Sequence, residues 1–179
     1  LGSVRRFALI ARDLPPCLRK PITFDQAVVI LRDRLANREA NFLRVVERAI
    51  FGNPRSPYLP LLKHADCGLA DISQSVRTRG LVPTLRALRD AGVYVSYEEI
   101  KGRRPIVRDG REFAVAPEDF DNPLVTRHFE AESGGTTGPG SRSPLDVAHQ
   151  ASVAPYFAVA LRADDAYDAP SAVWRGILP

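Results

Sequence analysis

The chain has 179 residues, 45% of them hydrophobic and 26% charged, which is the composition of a globular domain of ordinary size rather than of a disordered or membrane-spanning segment. No stretch approaches the ~18 uninterrupted apolar residues of a membrane span, and the apolar core of LGSVRRFALIARDLPP is too short for a signal peptide. The 25 Lys and Arg against 21 Asp and Glu leave a net charge of +4, spread along the chain with arginines alternating with acids, so no basic stripe of the nucleic-acid-binding kind stands out.

The chain begins with Leu1, contains no methionine and stops within an apolar run, VWRGILP, so the expectation is a piece of something longer. Cys17 and Cys67 have neither a C-x-x-C spacing nor a neighbouring ligand; a reduced, cytoplasmic setting is expected.

The first ninety residues read as helical. Thr23 is placed as an N-cap, followed by Phe24, Ala27, Val28, Leu31 and Leu35 at helical spacing. A second helix carries Phe42, Val45, Val46, Ala49 and Ile50 on one face and ends at Gly52-Asn53-Pro54. Ser56-Pro57 has the form of a cap followed by a first-turn proline, with Tyr58, Leu61 and Leu62 behind it. Pro83 opens a further helix that Gly92 closes.

At Val93 the character changes. VYVSYEEI is rich in β-formers, and PIVRDGREFAV sets Asp109-Gly110 between two short apolar runs, a hairpin signal, with Pro105 at the edge. PEDFDNP is a turn. VTRHFEAE alternates, with Val125, Arg127, Phe129 and Ala131 on one side, and reads as a strand. The run SGGTTGPGS, Ser133 to Ser141, follows it. Ser143-Pro144 then reads as a helix start, with Pro155 expected to kink or split that helix.

Strand, glycine-rich loop and helix in that order is an arrangement that binds phosphate. Glycines let the backbone approach an anion, successive N–H groups form a concave nest, and hydroxyls add donors. The run fails the Walker A pattern for want of its lysine, and Gly135 and Gly138 are wrongly spaced for a dinucleotide fingerprint. A Ser/Gly/Thr linker is the other reading, and composition leaves the two level.

Ser133-Gly134-Gly135-Thr136-Thr137-Gly138 resembles the phosphate loop of the adenylate-forming superfamily, which includes acyl-CoA synthetases, luciferases and peptide-synthetase adenylation domains. The family pattern is [ST]-[SG]-G-[ST]-[ST]-G-x-P-K. The first six positions agree; Gly140 stands where proline is usual and Ser141 where the lysine should be, with Arg142 one place on. SPYLPLLKHADCGLADI and RDGREFAVAPEDFDNP, in that order before the loop, resemble the phenylacetate-CoA-ligase-like branch, and the similarity covers roughly Arg48 to Pro179.

The resemblance implies an α/β fold, the N-terminal part of an adenylate-forming large domain. Residues 1–92 would form a mainly helical region. Residues 93–179 would hold the hairpin, strand, phosphate loop and following helix of one incomplete domain. It implies a two-step reaction, in which a carboxylate attacks the α-phosphate of ATP to give acyl-adenylate and pyrophosphate, and a thiol then displaces AMP. The cofactors would be ATP and magnesium, with the magnesium ligand outside this chain. The partners would be a carboxylic acid, a thiol acceptor such as CoA or a carrier protein, and the rest of the parent ligase, with no nucleic acid and no membrane. Thr136 and Thr137 would be hydroxyl donors beside Ser133; Gly134, Gly135 and Gly138 would allow close approach, and Arg142 would replace the missing lysine charge. The family's adenine, magnesium, ribose and lysine motifs follow the loop by many residues, so the piece is expected to be inactive alone. A non-catalytic nucleotide-binding or assembly module that has kept the fold is the alternative, and a basic DNA-binding domain comes third.

The remaining candidates read as structural. His64, His128 and His149 lie at no metal-ligand spacing, and no G-x-S-x-G elbow is present. Asp164-Asp165, Arg77, Arg79, Arg103 and Arg104 read as solvated surface, and Trp174 as packing.

Overall fold

A computed structural model describes residues 2–19, 21–126, 129–132 and 142–170. Most of these are helical, with two small antiparallel strand pairs. The helices are α1 (Gly2–Leu18), α2 (Phe24–Ala36), α3 (Arg38–Val45), α4 (Tyr58–His64), α5 (Leu69–Arg79), α6 (Leu81–Asp90), α7 (Tyr97–Ile100) and α8 (Val147–Ala163). The strands are β1 (Ile106–Arg108), β2 (Arg111–Phe113), β3 (Phe129–Glu132) and β4 (Arg142–Leu145). The chain divides into two compact units: Leu1–Ala36 with Val147–Pro179, and Asn37–Asp146.

Among the described residues, the helices of the first unit are α1, α2 and α8. Thr23 caps α2 as expected: the Gln26 amide donates to Thr23 Oγ1 at 3.3 Å, and the Thr23 amide donates to Gln26 Oε1 at 3.1 Å. Ala27 is fully buried, so α2 comes close to its neighbours, whereas Leu35, expected on the core face, is exposed. Arg34 ties α2 to α8 by donating to the Ser152 carbonyl at 2.7 Å, with its guanidinium 5.3 Å from the Tyr156 ring centroid. Phe24 meets Tyr167 edge-on at 6.1 Å, and Arg162 lies over both rings. Helix α8 runs through Pro155 rather than splitting there; the ring is buried, so packing sustains the helix despite the absent N–H.

In the second unit, α3 continues into a π turn over Val46–Phe51, which the Gly52 amide closes on the Glu47 carbonyl at 2.7 Å. A Cβ on Gly52 would lie 2.9 Å from the Arg48 carbonyl oxygen, so only glycine fits. Val46, Leu62, Ile72 and Val76 form one buried cluster with Phe42, Ile50, Tyr58 and Leu88 against it. Leu61, Ile106 and Phe113 form another with Val95, Val115 and Phe120. Val93 packs against both clusters.

Helix α6 starts at Leu81 rather than at Pro83, which lies within its first turn, where an amide is not needed. The Leu81 amide instead donates to Glu39 Oε1 at 3.3 Å. The β-rich segment VYVSYEEI does not form a strand. Ser96 and Glu99 make a reciprocal cap, with Ser96 N to Glu99 Oε2 at 2.6 Å, and the local motif turns the chain into α7. The Asp109-Gly110 hairpin forms as expected, with φ of 48° and 77° at the two turn residues and Ile106 opposite Phe113.

Candidate functional site

Strands β3 and β4 pair in antiparallel register, Phe129 opposite Leu145, Glu130 opposite Pro144, Ala131 opposite Ser143 and Glu132 opposite Arg142. Residues 133–141 therefore join two paired strands. The expected order of strand, loop and helix becomes strand, loop, strand and helix: Ser143 and Pro144 lie in β4, and α8 begins only at Val147. The physical reason is the proline, which disfavours helical φ and ψ at Ser143 and fits an open strand edge. In sequence, β4 and Asp146 separate the start of α8 from the glycine-rich run.

Ser133, Gly134, Gly135, Thr136, Thr137 and Gly138 lie outside the described residues, as do His128 and Trp174. Arg142 is the first residue of β4, one step past the loop and opposite Glu132, so the backbone at both ends of the run is fixed by one cross-strand pair. At the far end of the hairpin, buried Asp146 accepts a hydrogen bond from the Thr126 amide at 2.5 Å, tying the approach to β3 to the exit from β4.

Among the described residues is one densely hydrogen-bonded polar group that residue patterns did not single out. Arg108 and Glu99 form an ion pair at 2.8 Å with both side chains almost completely buried. All five guanidinium N–H donors are used: Nε to the Gly92 carbonyl, Nη1 to Glu99 Oε1 and the Val107 carbonyl, and Nη2 to Glu99 Oε2 and the Tyr94 carbonyl. The guanidinium carbon is also 3.9 Å from the Tyr94 ring centroid. These hydrogen bonds from Arg108 hold the Glu99 carboxyl well below its ordinary value, at about 2, against the upward push of burial, and the Ser96 amide and hydroxyl add to the effect. With no donor left over, this pair is a clasp between strand and helix and offers nothing to a ligand. Its sequence signal was Ser96-x-x-Glu99, a capping pattern hidden inside β-forming residues.

The histidine expected to be structural has its partner: His64 Nε2 lies 2.9 Å from Asp109 Oδ2 of the hairpin turn, and its ring meets Phe113 edge-on at 5.5 Å. Arg77 bonds Gln74 at 3.0 Å, and Arg103 bonds Glu98 at 3.3 Å. Asp165, with φ of 53°, closes α8. Cys17 and Cys67 are free thiols; burial, with Asp71 and Asp66 nearby, pushes the Cys67 thiol up and away from thiolate chemistry. Among the described residues, no three His, Cys, Asp or Glu side chains converge as metal ligands, and no helix is long and apolar enough to cross a membrane.

The candidate phosphate run at 133–141 lies outside the described residues, and the polar clusters described above are closed structural contacts. No protein family, curated protein or solved structure matches the chain.

Proposed function

We propose that this chain is the N-terminal portion of an ATP-dependent acyl-adenylate-forming ligase of the phenylacetate-CoA-ligase-like type, to which it contributes the loop that holds the departing pyrophosphate. The observation that carries the reading is the run Ser133-Gly134-Gly135-Thr136-Thr137-Gly138, leaving β3 after Glu132 and returning to β4 at Arg142, its cross-strand partner. In this role the amides and the Thr136 and Thr137 hydroxyls face the β- and γ-phosphates. They stabilise the charge that develops there as the bond between the α- and β-phosphates breaks. Arg142 supplies the positive charge that a lysine at position 141 would otherwise give. Its planar fork is a different donor from an ammonium, and the loop geometry must adapt to it. ATP and magnesium are the cofactors of the proposed reaction, with a carboxylic acid as substrate and a thiol as acceptor.

A second reading has its own observation. Gly140 and Ser141 replace the proline and lysine of the family pattern, which favours a module that keeps nucleotide binding or assembly without turnover. One experiment separates the two. The full-length protein containing this chain is supplied with ATP, magnesium and a panel of carboxylates, and pyrophosphate release is followed with and without CoA. Turnover that falls by about 100-fold in Thr136→Ala, the loss expected for one transition-state donor, supports the ligase reading. ATP binding without pyrophosphate release supports the module, and the absence of both removes the phosphate-loop assignment.

A further inference from the structure

Strands β3 and β4 meet the glycine-rich run at one end, where Glu132 stands opposite Arg142. At the other end Asp146, 6% exposed, accepts a hydrogen bond on Oδ2 from the Thr126 amide at 2.5 Å. Both residues belong to the second unit. The ladder between them has four residue pairs, and two strands this short are marginal on their own. Pro144 brings no amide to it. The run itself, rich in Gly, Ser and Thr, contains no residue that dictates a register.

Asp146 supplies what the run lacks. A buried carboxylate has given up water and must be met by donors. The charge-assisted bond from Thr126 forms only when the third residue before Phe129 stands beside the residue after Leu145, its cross-strand partner. A slip of one residue, or a parting of the strands, leaves the carboxylate short of that donor, and an unmet buried acceptor costs more than the bond is worth when made.

We propose that Asp146 is a positioning residue for the glycine-rich run. Through Thr126 it fixes the register of the two strands from which Ser133–Gly138 is hung, and so the place at which the run's donors meet phosphate. This role rests on the reading of that run as the loop that holds pyrophosphate.

Pyrophosphate release by the full-length protein, supplied with ATP, magnesium and phenylacetate, benzoate or a fatty acid, tests it. Asp146→Ala should lower kcat by about tenfold or more at saturating ATP, leave the KM for the carboxylate unchanged, and keep its helical circular dichroism. Asp146→Asn, which retains an oxygen to accept the Thr126 amide, should keep most of the activity. Thr136→Ala, expected to cost about 100-fold in the unaltered protein, should cost no more than about tenfold in the Asp146→Ala background, because a donor already out of place has less to lose. The amides of Phe129–Glu132 should also exchange faster in Asp146→Ala. If that variant loses its helical signal, Thr126→Pro removes the same bond by deleting the donor, and the same kinetic pattern is expected of it. Full turnover in Asp146→Ala, or a Thr136→Ala loss equal in both backgrounds, overturns the positioning role and leaves the ligase reading standing. A full-length protein that releases no pyrophosphate with any of these acids removes the ligase reading, and the role of Asp146 with it.

Discussion

Arg108 shows how a single side chain can join parts of a unit that regular secondary structure leaves separate. It reaches from β1 to the carbonyls of Gly92 and Tyr94 and to the carboxylate of Glu99 on α7. Because the Glu99 carboxyl sits at about 2 rather than the ordinary 4.5, the folded state holds it ionised over a pH range in which the unfolded chain takes up a proton. A depressed carboxyl stabilises the fold above the unfolded value and loses that contribution as pH falls through the folded one. We expect the contribution of Glu99 to be level above about pH 5 and to fall by about 3 kcal/mol on going to pH 2, measured as the difference between the protein and Glu99→Gln by urea denaturation at a series of pH values. Glu99→Gln should reduce the loss of stability in acid, leaving the part due to Asp119, and Arg108→Met should cost about 3–5 kcal/mol at pH 7, since it leaves the carboxylate buried without its cation. Neither residue was legible as a pair in the sequence. Arg108 reads as one of many arginines, and only folding brings position 99 to it.

The elements that could be read beforehand are those whose instructions are local. The Thr23 cap, Asp109-Gly110 and the Gly92 terminus each specify their structure within a few residues, and each formed as expected. Thr23→Ala should destabilise the protein by about 1 kcal/mol, seen as a lower thermal midpoint, because it frees the first amides of α2. Helix α4 ends less comfortably. Asp66 takes φ of 47° while the Cys67 amide closes on the Leu62 carbonyl at 2.9 Å, the position and bond at which glycine is the usual residue. Asp66→Gly should therefore raise stability by about 0.5–1 kcal/mol in the same measurement. Where local signals compete, the sequence misled: VYVSYEEI has the residues of a strand, yet one capping pair and the clasp on Glu99 make it a turn of helix. The β3–β4 pairing was hidden for another reason. Its register depends on the two sides of a glycine-rich run meeting, and no residue within the run states whether they do. That left the candidate phosphate loop legible as a motif but not in its setting between two strands.

At the scale of the whole molecule, the two units are drawn along different lines from the change of composition at Val93. Val93 itself packs against both apolar clusters of the second unit, and Arg108 bonds the carbonyl of Gly92, so contacts cross the compositional border freely. The second unit is continuous from Asn37 to Asp146 and carries both clusters. It should fold when produced alone: residues 37–146 are expected to give helical circular dichroism and one cooperative urea transition. A featureless, non-cooperative curve would show that it depends on the first unit. That first unit is assembled from two stretches far apart in sequence and was not legible beforehand, since the pairing of α2 with α8 rests on Ala27, Arg34 and Ser152, residues unremarkable in their own neighbourhoods.

This discontinuity has a consequence for how the protein is made. On the ribosome α1 and α2 emerge well before α8, the helix they pack against. At elongation rates of about 5–20 residues per second, the wait is roughly 5 to 20 seconds. Over that interval residues 37–146 can complete their own folding while α1 and α2 remain as nascent, sticky segments, open to chaperones and to neighbouring polypeptides. The two earlier helices find their place only after the segment that follows them has been made.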